Sequence, residues 1–391
     1  MKEPSFTLGV EEEYLLVDRD TRDLVEKMPA PMLGQCEARI EGQQVKPEFM
    51  RSQIEIGTRI CRSVAEVRDS LAVLRGAVID VAGEHGLAPL AVSTHPFAVW
   101  TTQKHTERAR YHALFEEMQA AARRLLICGM HVHVGIEDEE LRVDLMNQFS
   151  YFLPHLLALS CSSPFWEGID TGLKSFRLTV FDALPRTGVP ERFSSYAEYQ
   201  RLVRVMTEAG LIEDASKIWW DLRPSARYPT LETRVMDVCT DLDDALCLAA
   251  LVVSLLRMLW RLRCGNQRWR TYSPFLIREN RWRAMRYSFD QGLLDLGRGR
   301  VIPFPQLLEE LLELIREDAA ALGCTAEVEH ARTILARGTS AHRQVDVRNK
   351  ALAGGATDAE AFVAVVDHLI EETRRGARYK TEPSGTLPTA G

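Results

Sequence analysis

The chain reads as an α+β fold: an antiparallel or mixed sheet built from the first 240 residues, backed by helices, with a largely helical C-terminal third. Strand and helix patterns alternate irregularly up to residue 240, the pattern from Asp241 onward is almost wholly helical, and neither a repeat period nor a Gly/Ser linker divides the chain before its tail. One domain over residues 6–376 follows, sheet-rich over 6–240 and helical over 241–376. Residues 377–391, rich in Gly, Pro, Ser and Thr, are expected to form a disordered tail.

Each element has its own signal. Residues 7–17 read as a strand, and the charged run from Asp18 as a turn into Leu24 and Val25. Ser63 with Glu66 is a capping-box pattern, after which Val64, Val67, Leu71, Leu74, Val78 and Val81 recur at helical spacing until Gly86. Residues 88–93 read as a strand, 107–124 as a helix and 125–136 as a strand. Two more strands, 218–222 and 231–238, are joined through Pro224 and Pro229. Residues 245–256 are nearly all apolar, but spanning a bilayer takes about 20 residues, so a buried core helix is expected. Thr357 and Glu360 cap the last helix.

Composition narrows the function. With 55 acidic and 48 basic residues the net charge is −7, which argues against a dedicated binder of nucleic acid or anionic membrane. The arginine-rich stretch 257–286, with Trp260, Trp269 and Trp282, does not change that reading, because its first part continues an apolar helix. A chain of this size buries roughly three quarters of its unfolded surface and needs no staples. The eight cysteines include no C-x-x-C pair, the pattern of reduced core thiols in a cytosolic protein, and no signal-peptide run follows Met1, so a cytoplasmic location is expected.

Four segments carry chemistry. In Gly9-Val10-Glu11-Glu12-Glu13-Tyr14, strand alternation puts Glu11 and Glu13 on one face and Val10 and Tyr14 on the other, with Glu12 on the apolar side and no partner evident. In Cys128-Gly129-Met130-His131-Val132-His133-Val134-Gly135-Ile136 the two histidines share a face opposite four apolar residues, and the flanking glycines leave that face open to something large. Glu232 and Arg234 share a strand face, with Arg223 and Arg227 arriving from a Pro-bounded loop. Guanidinium forks beside a carboxylate suit phosphoryl oxygens and a cation. Glu48 and Glu55 lie an odd number of residues apart, so a bulge or a loop at Pro47 is needed for both to serve one site.

Together these segments resemble the glutamate–cysteine ligases of the bacterial carboxylate–amine ligase type, whose catalytic fold is shared with glutamine synthetase and the guanidino kinases. The likeness runs from Gly9-Val10-Glu11-Glu12-Glu13 through Thr94-His95-Pro96, Gly129-Met130-His131-Val132-His133, Ser162-Ser163-Pro164-Phe165-Trp166 and Asp221-Leu222-Arg223-Pro224-Ser225 to Asn280-Arg281-Trp282-Arg283-Ala284. It implies ATP as substrate and two or more Mg²⁺ or Mn²⁺ ions. Glu13, Glu48 and Glu55 would hold one ion and Glu11, His131 and Glu232 another, with His133 towards the nucleotide and Arg223, Arg227 and Arg234 at the γ-phosphate. The Glu48–Glu55 spacing departs by one residue from the glutamine synthetase pattern. Thr94, His95, Arg110, Tyr111, Arg177 and Arg283 are candidates to grip amino-acid carboxylates.

Charge supports the metals independently. Two unit charges 4 Å apart repel by about 4 kcal/mol at an effective dielectric near 20, so five convergent glutamates cannot all ionise in an empty cleft. Oxygen donors with one histidine suit Mg²⁺ or Mn²⁺ better than tetrahedral zinc. Neither a P-loop nor a G-x-G-x-x-G sequence is present. The implied reaction joins a glutamate carboxylate to an amine such as cysteine through an acyl phosphate, and the family implies a homodimer. Two rival readings are a zinc hydrolase built on His131 and His133, which predicts stoichiometric zinc and turnover without ATP, and a non-catalytic ATP or amino-acid sensor.

Overall fold

The computed structural model describes residues 2–378. Its organising element is a seven-stranded sheet made of β1 (Leu8–Asp18), β2 (Gln44–Pro47), β3 (Gln53–Gly57), β4 (Leu87–Leu90), β5 (Met130–Gly135), β6 (Leu222–Pro224) and β7 (Thr230–Thr233). The order is β6-β7-β5-β1-β3-β2, with β4 beside the C-terminal part of β1, and every pairing is antiparallel. Along β1 the burial alternates as the sequence requires: Val10, Glu12, Tyr14 and Leu16 are buried, while Gly9, Glu11 and Glu13 are partly open.

Helices α1 (Val64–Glu84), α2 (Ala109–Met118), α3 (Arg177–Phe181), α4 (Leu242–Cys264), α5 (Pro274–Tyr287), α6 (Phe304–Ala321) and α7 (Asp358–Thr373) complete the frame used below. The helices α1 and α4 pack on each other, α1 against β1 and α4 against β5, and α6 packs on α4. The Ser63 hydroxyl accepts the Glu66 N–H, and both halves of the Thr357–Glu360 capping box form. All of residues 245–256 are buried inside the protein, as expected of a core helix. All eight thiols are free; seven are buried, but Cys264, at the end of α4, is exposed.

Glu12, orphaned in the sequence, has a partner from α1. The Arg75 guanidinium donates to both Glu12 oxygens at 2.7 and 3.0 Å and to the carbonyls of Cys239 and Thr240, while the Tyr14 hydroxyl also donates to Glu12. Both charged side chains are fully buried. One ionic network thus ties the central strand to a core helix and to the segment entering α4.

The elements depart from their expected lengths where tertiary contacts intervene. The strand expected over 125–136 is regular only over β5, and residues 125–128 form a buried connector whose Cys128 N–H donates to the Ser93 carbonyl. The helix expected over 107–124 breaks at Gln119, which has φ 47°. Residues 88–93 continue past β4 without strand structure, and 218–222 splits into Trp219–Trp220 and β6. The strand expected over 231–238 is regular only over β7. The C-terminal third carries a hairpin, Leu293–Asp295 with Arg300–Ile302. Arg378, expected in the tail, lies against α1, where its N–H donates to the Ala72 carbonyl; residues 379–391 lie outside the described residues.

Candidate active site

The open face of the sheet gathers the charged side chains into three cross-strand rows. Arg223, Glu232 and His133 stand opposite one another on β6, β7 and β5, ending at Gly9 of β1. The next row pairs His131 with Glu11 and Gly57, and the last pairs Glu13 with Glu55 and Lys46. Glu48 joins the last row without a bulge. Residues 48–52 form the hairpin loop between β2 and β3, so the odd spacing from Glu55 is absorbed by a reversal of direction.

Like charges set directly opposite are destabilising unless something neutralises them. Burial, then neighbouring carboxylates, push Glu13 and Glu48 up to about 7 and Glu55 up to about 8. Glu13 accepts the Gly129 N–H at 2.7 Å, the Tyr111 hydroxyl donates to Glu48 at 3.3 Å, and Lys46 lies 3.7 Å from Glu55. In the middle row burial opposes ionisation of Glu11, but the His131 ring holds it at about 2. Burial and then Arg234 push His131 down to about 4, so the imidazole is neutral. Its Nδ1 lies 3.3 Å from Glu11 and 3.5 Å from the Arg234 guanidinium, and its Nε2 is buried without a partner. His133 Nδ1 contacts the Thr230 hydroxyl at 2.9 Å, and its Nε2 lies 4.0 Å from both Glu11 and Glu232.

Glu232 is committed differently from expectation. Arg223 grips both its oxygens at 2.9 and 3.1 Å and Arg234 adds an ion pair, which outweighs burial and holds the carboxyl well below its usual range. Arg223 also donates to the Ser216 and Ile218 carbonyls, so its guanidinium is occupied by the protein itself. Arg234 Nε is buried without a partner. Arg227 stands exposed on the β6–β7 turn, facing a groove beside Tyr196 and Tyr199 rather than the glutamates.

The expected carboxylate grips divide. Tyr111 and Arg177 line the same cavity as Glu13, Glu48, His131 and Arg234. Thr94, His95 and Arg283 do not: Thr94 donates to the Phe165 carbonyl, and Arg283 to the Gly292 and Gln291 carbonyls. The side chain of Arg110 lies outside the described residues. His95 accepts the Ala98 and Phe97 N–H groups at Nδ1 and donates from Nε2 to the Arg22 carbonyl, so both ring nitrogens shape the loop. Burial pushes it down to about 4, from an ordinary value near 6.5. The unfolded chain takes up this proton and the folded chain resists it, so its stabilisation is full above pH 6.5 and fades as pH falls towards 4. The expected loss is roughly 3 kcal/mol; in denaturant titrations at pH 7 and pH 4.5, His95→Asn should show a shallower acid-side decline than the parent.

The glycine beside the histidines has a different use from the one expected. A Cβ on Gly129 would collide with the Arg177 guanidinium, which lies against this backbone and donates to the carbonyls of Arg234 and Met236; at Gly135 the space is taken by Ser5 and Thr7. The Ser163 hydroxyl accepts the Arg177 N–H, and Asp237, which accepts from the hydroxyls of Ser163 and Ser175, attracts the Arg177 charge. Gly129→Ala should displace Arg177 and lower turnover about 100-fold with little change in unfolding midpoint, read by steady-state kinetics beside calorimetry.

Further motif residues act beneath the site. Arg281 pairs with Asp221 at 2.6 Å and with Asp182 at 2.6 Å, and the Asp221 carbonyl accepts the Arg234 N–H. Sequence reasoning missed Asp237, Lys217, Phe181 and Trp219; the last three line the cavity and are drawn to it only by tertiary contacts, although Lys217-Ile218-Trp219-Trp220 is a conspicuous signal. Among the described residues no group of three or more His, Cys, Asp or Glu side chains forms a ready-made ion cage.

The chain matches Glutamate-cysteine ligase family 2 (GCS2) over residues 7–372. It is 62% identical over 376 residues to a Rhodospirillum rubrum protein named "Putative glutamate--cysteine ligase 2", covering 95% of this chain and 97% of that one. A Paracoccus denitrificans protein of the same name is 56% identical over 374 residues, with 96% and 99% covered. In three dimensions the chain resembles the glutamate–cysteine ligase of Francisella tularensis solved in complex with AMP, with a TM-score of 0.68 and 14% identity over 96% of this chain and 90% of that one, a likeness of fold. The antiparallel sheet with its array of acids, histidines and arginines thus belongs to a member of glutamate–cysteine ligase family 2, an ATP-dependent carboxylate–amine ligase.

Proposed function

We propose that the protein joins the γ-carboxylate of glutamate to the amine of a second amino acid, with ATP as phosphoryl donor and an acyl phosphate as intermediate. The observation that carries this reading is the gathering of Glu13 and Glu48 beside Arg177 and Arg234 in one cleft, with Glu55 directly across from Glu13 on β3. In the first step a carboxylate oxygen attacks the γ-phosphorus as the bond to ADP breaks. In the second, the amine attacks the acyl carbon, the C–O bond to phosphate breaks, and the nitrogen sheds its excess protons.

The side chains divide this work. Arg234, held by Glu232, and Arg177, laid against Gly129, present positive charge where the phosphoryl group and the substrate carboxylate meet. Arg223 is a positioning residue that fixes Glu232 and through it Arg234. The donor set fits divalent cations: three carboxylates that cannot ionise together alone, and a neutral imidazole whose Nε2 is buried without a partner. Glu13, Glu48 and Glu55 would hold one Mg²⁺ or Mn²⁺ and His131 with Glu11 another, and such ions supply electrostatic screening of the phosphate charge. Glu232, occupied by two arginines, serves that second group less directly.

The test is amine-dependent release of ADP from Mg²⁺-ATP across a panel of amino-acid pairs, with the amide identified by mass spectrometry. The reading fails if no pair releases ADP, or if turnover proceeds without ATP.

A further inference from the structure

Arg177 and Arg234, the two cations assigned to the phosphoryl group, are joined beneath the cleft by a closed path of hydrogen bonds. The Arg177 guanidinium donates to the Arg234 carbonyl at 3.3 Å, and the Arg234 N–H donates to the Asp221 carbonyl at 2.7 Å. The Asp221 carboxylate accepts from Arg281 at 2.6 and 3.2 Å, and Arg281 also donates to both oxygens of Asp182 at 2.6 and 2.8 Å. Asp182 directly follows α3, the helix that begins at Arg177, so the path returns to its start. We propose that Arg281 is a positioning residue for phosphoryl transfer, which sets the separation of Arg177 from Arg234 by holding Asp182 and Asp221 at a fixed spacing. This rests on the ligase reading above.

Arg281 is buried, and its five guanidinium N–H groups meet the two carboxylates and the Met285 sulfur, so its fork cannot turn without losing a partner. Its helix holds the other end of α3 as well: the Met285 carbonyl accepts the Lys174 and Ser175 N–H groups, just before Arg177, at 2.7 and 3.0 Å. Helix α5 is itself anchored, since Asn280 exchanges two hydrogen bonds of 2.7 Å with Leu294 and α5 packs on the helix Leu153–Ser160. Arg177 depends on this support. Among the described residues its guanidinium donates to backbone carbonyls alone, and its Nε is buried without a partner. Charge acts in the same direction, because Asp221 is buried and attracts the Arg177 charge. Released by Arg281, that carboxylate draws the Arg177 guanidinium off the Gly129 backbone. A lysine at 281 keeps the charge but has no planar fork with which to hold two carboxylates.

Amine-dependent ADP release would be compared for the parent, Arg281→Lys, Asp182→Ala and the double variant, each well below its own unfolding midpoint. Arg281→Lys should lower kcat about 100-fold and change KM for the amine less than about threefold. Asp182→Ala opens the same path at a side chain that is 34% exposed and leaves Arg281 paired with Asp221, so it keeps the test available should Arg281→Lys fold poorly. It should lower kcat at least about tenfold with a small shift in midpoint. Because both changes open one path, the double variant should be within about twofold of Arg281→Lys alone. A lower midpoint with kcat of the folded protein unchanged is the mark of a merely structural Arg281 and overturns the proposal, as do losses that multiply in the double variant. Crystal structures of the parent and Arg281→Lys decide the positioning without turnover. Arg177 displaced from the Gly129 backbone by about 1 Å or more supports it. An unmoved Arg177 overturns it, whereas the absence of ADP release from the parent with every amine means that the ligase reading has failed.

Discussion

Truncating Arg75 to alanine should cost about 4 kcal/mol of unfolding free energy, the largest single loss expected outside the cleft. The guanidinium is the cation paired with Glu12, and its removal leaves a buried carboxylate with the Tyr14 hydroxyl as its hydrogen-bond donor among the described residues. Breaking one side of a buried ion pair typically costs about 3–5 kcal/mol, and the carbonyls of Cys239 and Thr240 lose their donor as well. Against a total stability of about 5–15 kcal/mol this is a large fraction. Replacing both partners, Glu12→Leu with Arg75→Met, should recover at least half of the loss, because an apolar pair of similar volume carries no desolvation penalty. Urea titrations of the three proteins check this through the midpoint at constant slope. A loss below 1 kcal/mol for Arg75→Ala would show that the network is replaceable by water.

The second large effect is catalytic. Glu13→Gln should lower ATP-dependent turnover on the order of 10³-fold while the unfolding midpoint stays level or rises. Glutamine keeps the shape of the side chain and an oxygen for the Gly129 N–H, but it carries no charge with which to hold a cation. It also removes one of three crowded carboxylates, relieving the repulsion that raises Glu13 and Glu55, which face each other across β1 and β3. Stability held with activity lost separates a ligand role from a structural one. Glu13→Gln with near-parent turnover would remove Glu13 from the chemistry, and retained amino-acid binding by an inactive parent would favour the sensor.

How much of this was readable before the structure differs by element. The alternation in 9–14 and in 130–136 was sufficient to place Glu11, Glu13, His131 and His133 on one face, because a strand has only two faces and the apolar residues claim one of them. Helix α1 and the cap at Thr357 followed from local patterns for the same reason. The partner of Glu12 was invisible because Arg75 lies 63 residues away within an apolar helical stripe, where only tertiary packing sets it against the sheet. His95 and Arg177 illustrate the limit for sites. His95 lies inside a family-like motif yet satisfies its own loop, while Arg177, outside those motifs, reaches the cleft because Gly129 makes room. The break at Gln119 has no glycine or proline to announce it. The strands expected at 125–136 and 231–238 were overdrawn because buried connectors are as apolar as strands.

The central claim is that a substrate carboxylate takes the γ-phosphoryl group of ATP before the amine arrives. It is tested most directly with glutamate carrying ¹⁸O in both γ-carboxylate oxygens, incubated with Mg²⁺-ATP, the protein and a reactive amine. The expected result is one ¹⁸O in each phosphate released, in step with amide formation. Unlabelled phosphate alongside amide, or label found in AMP, would contradict it.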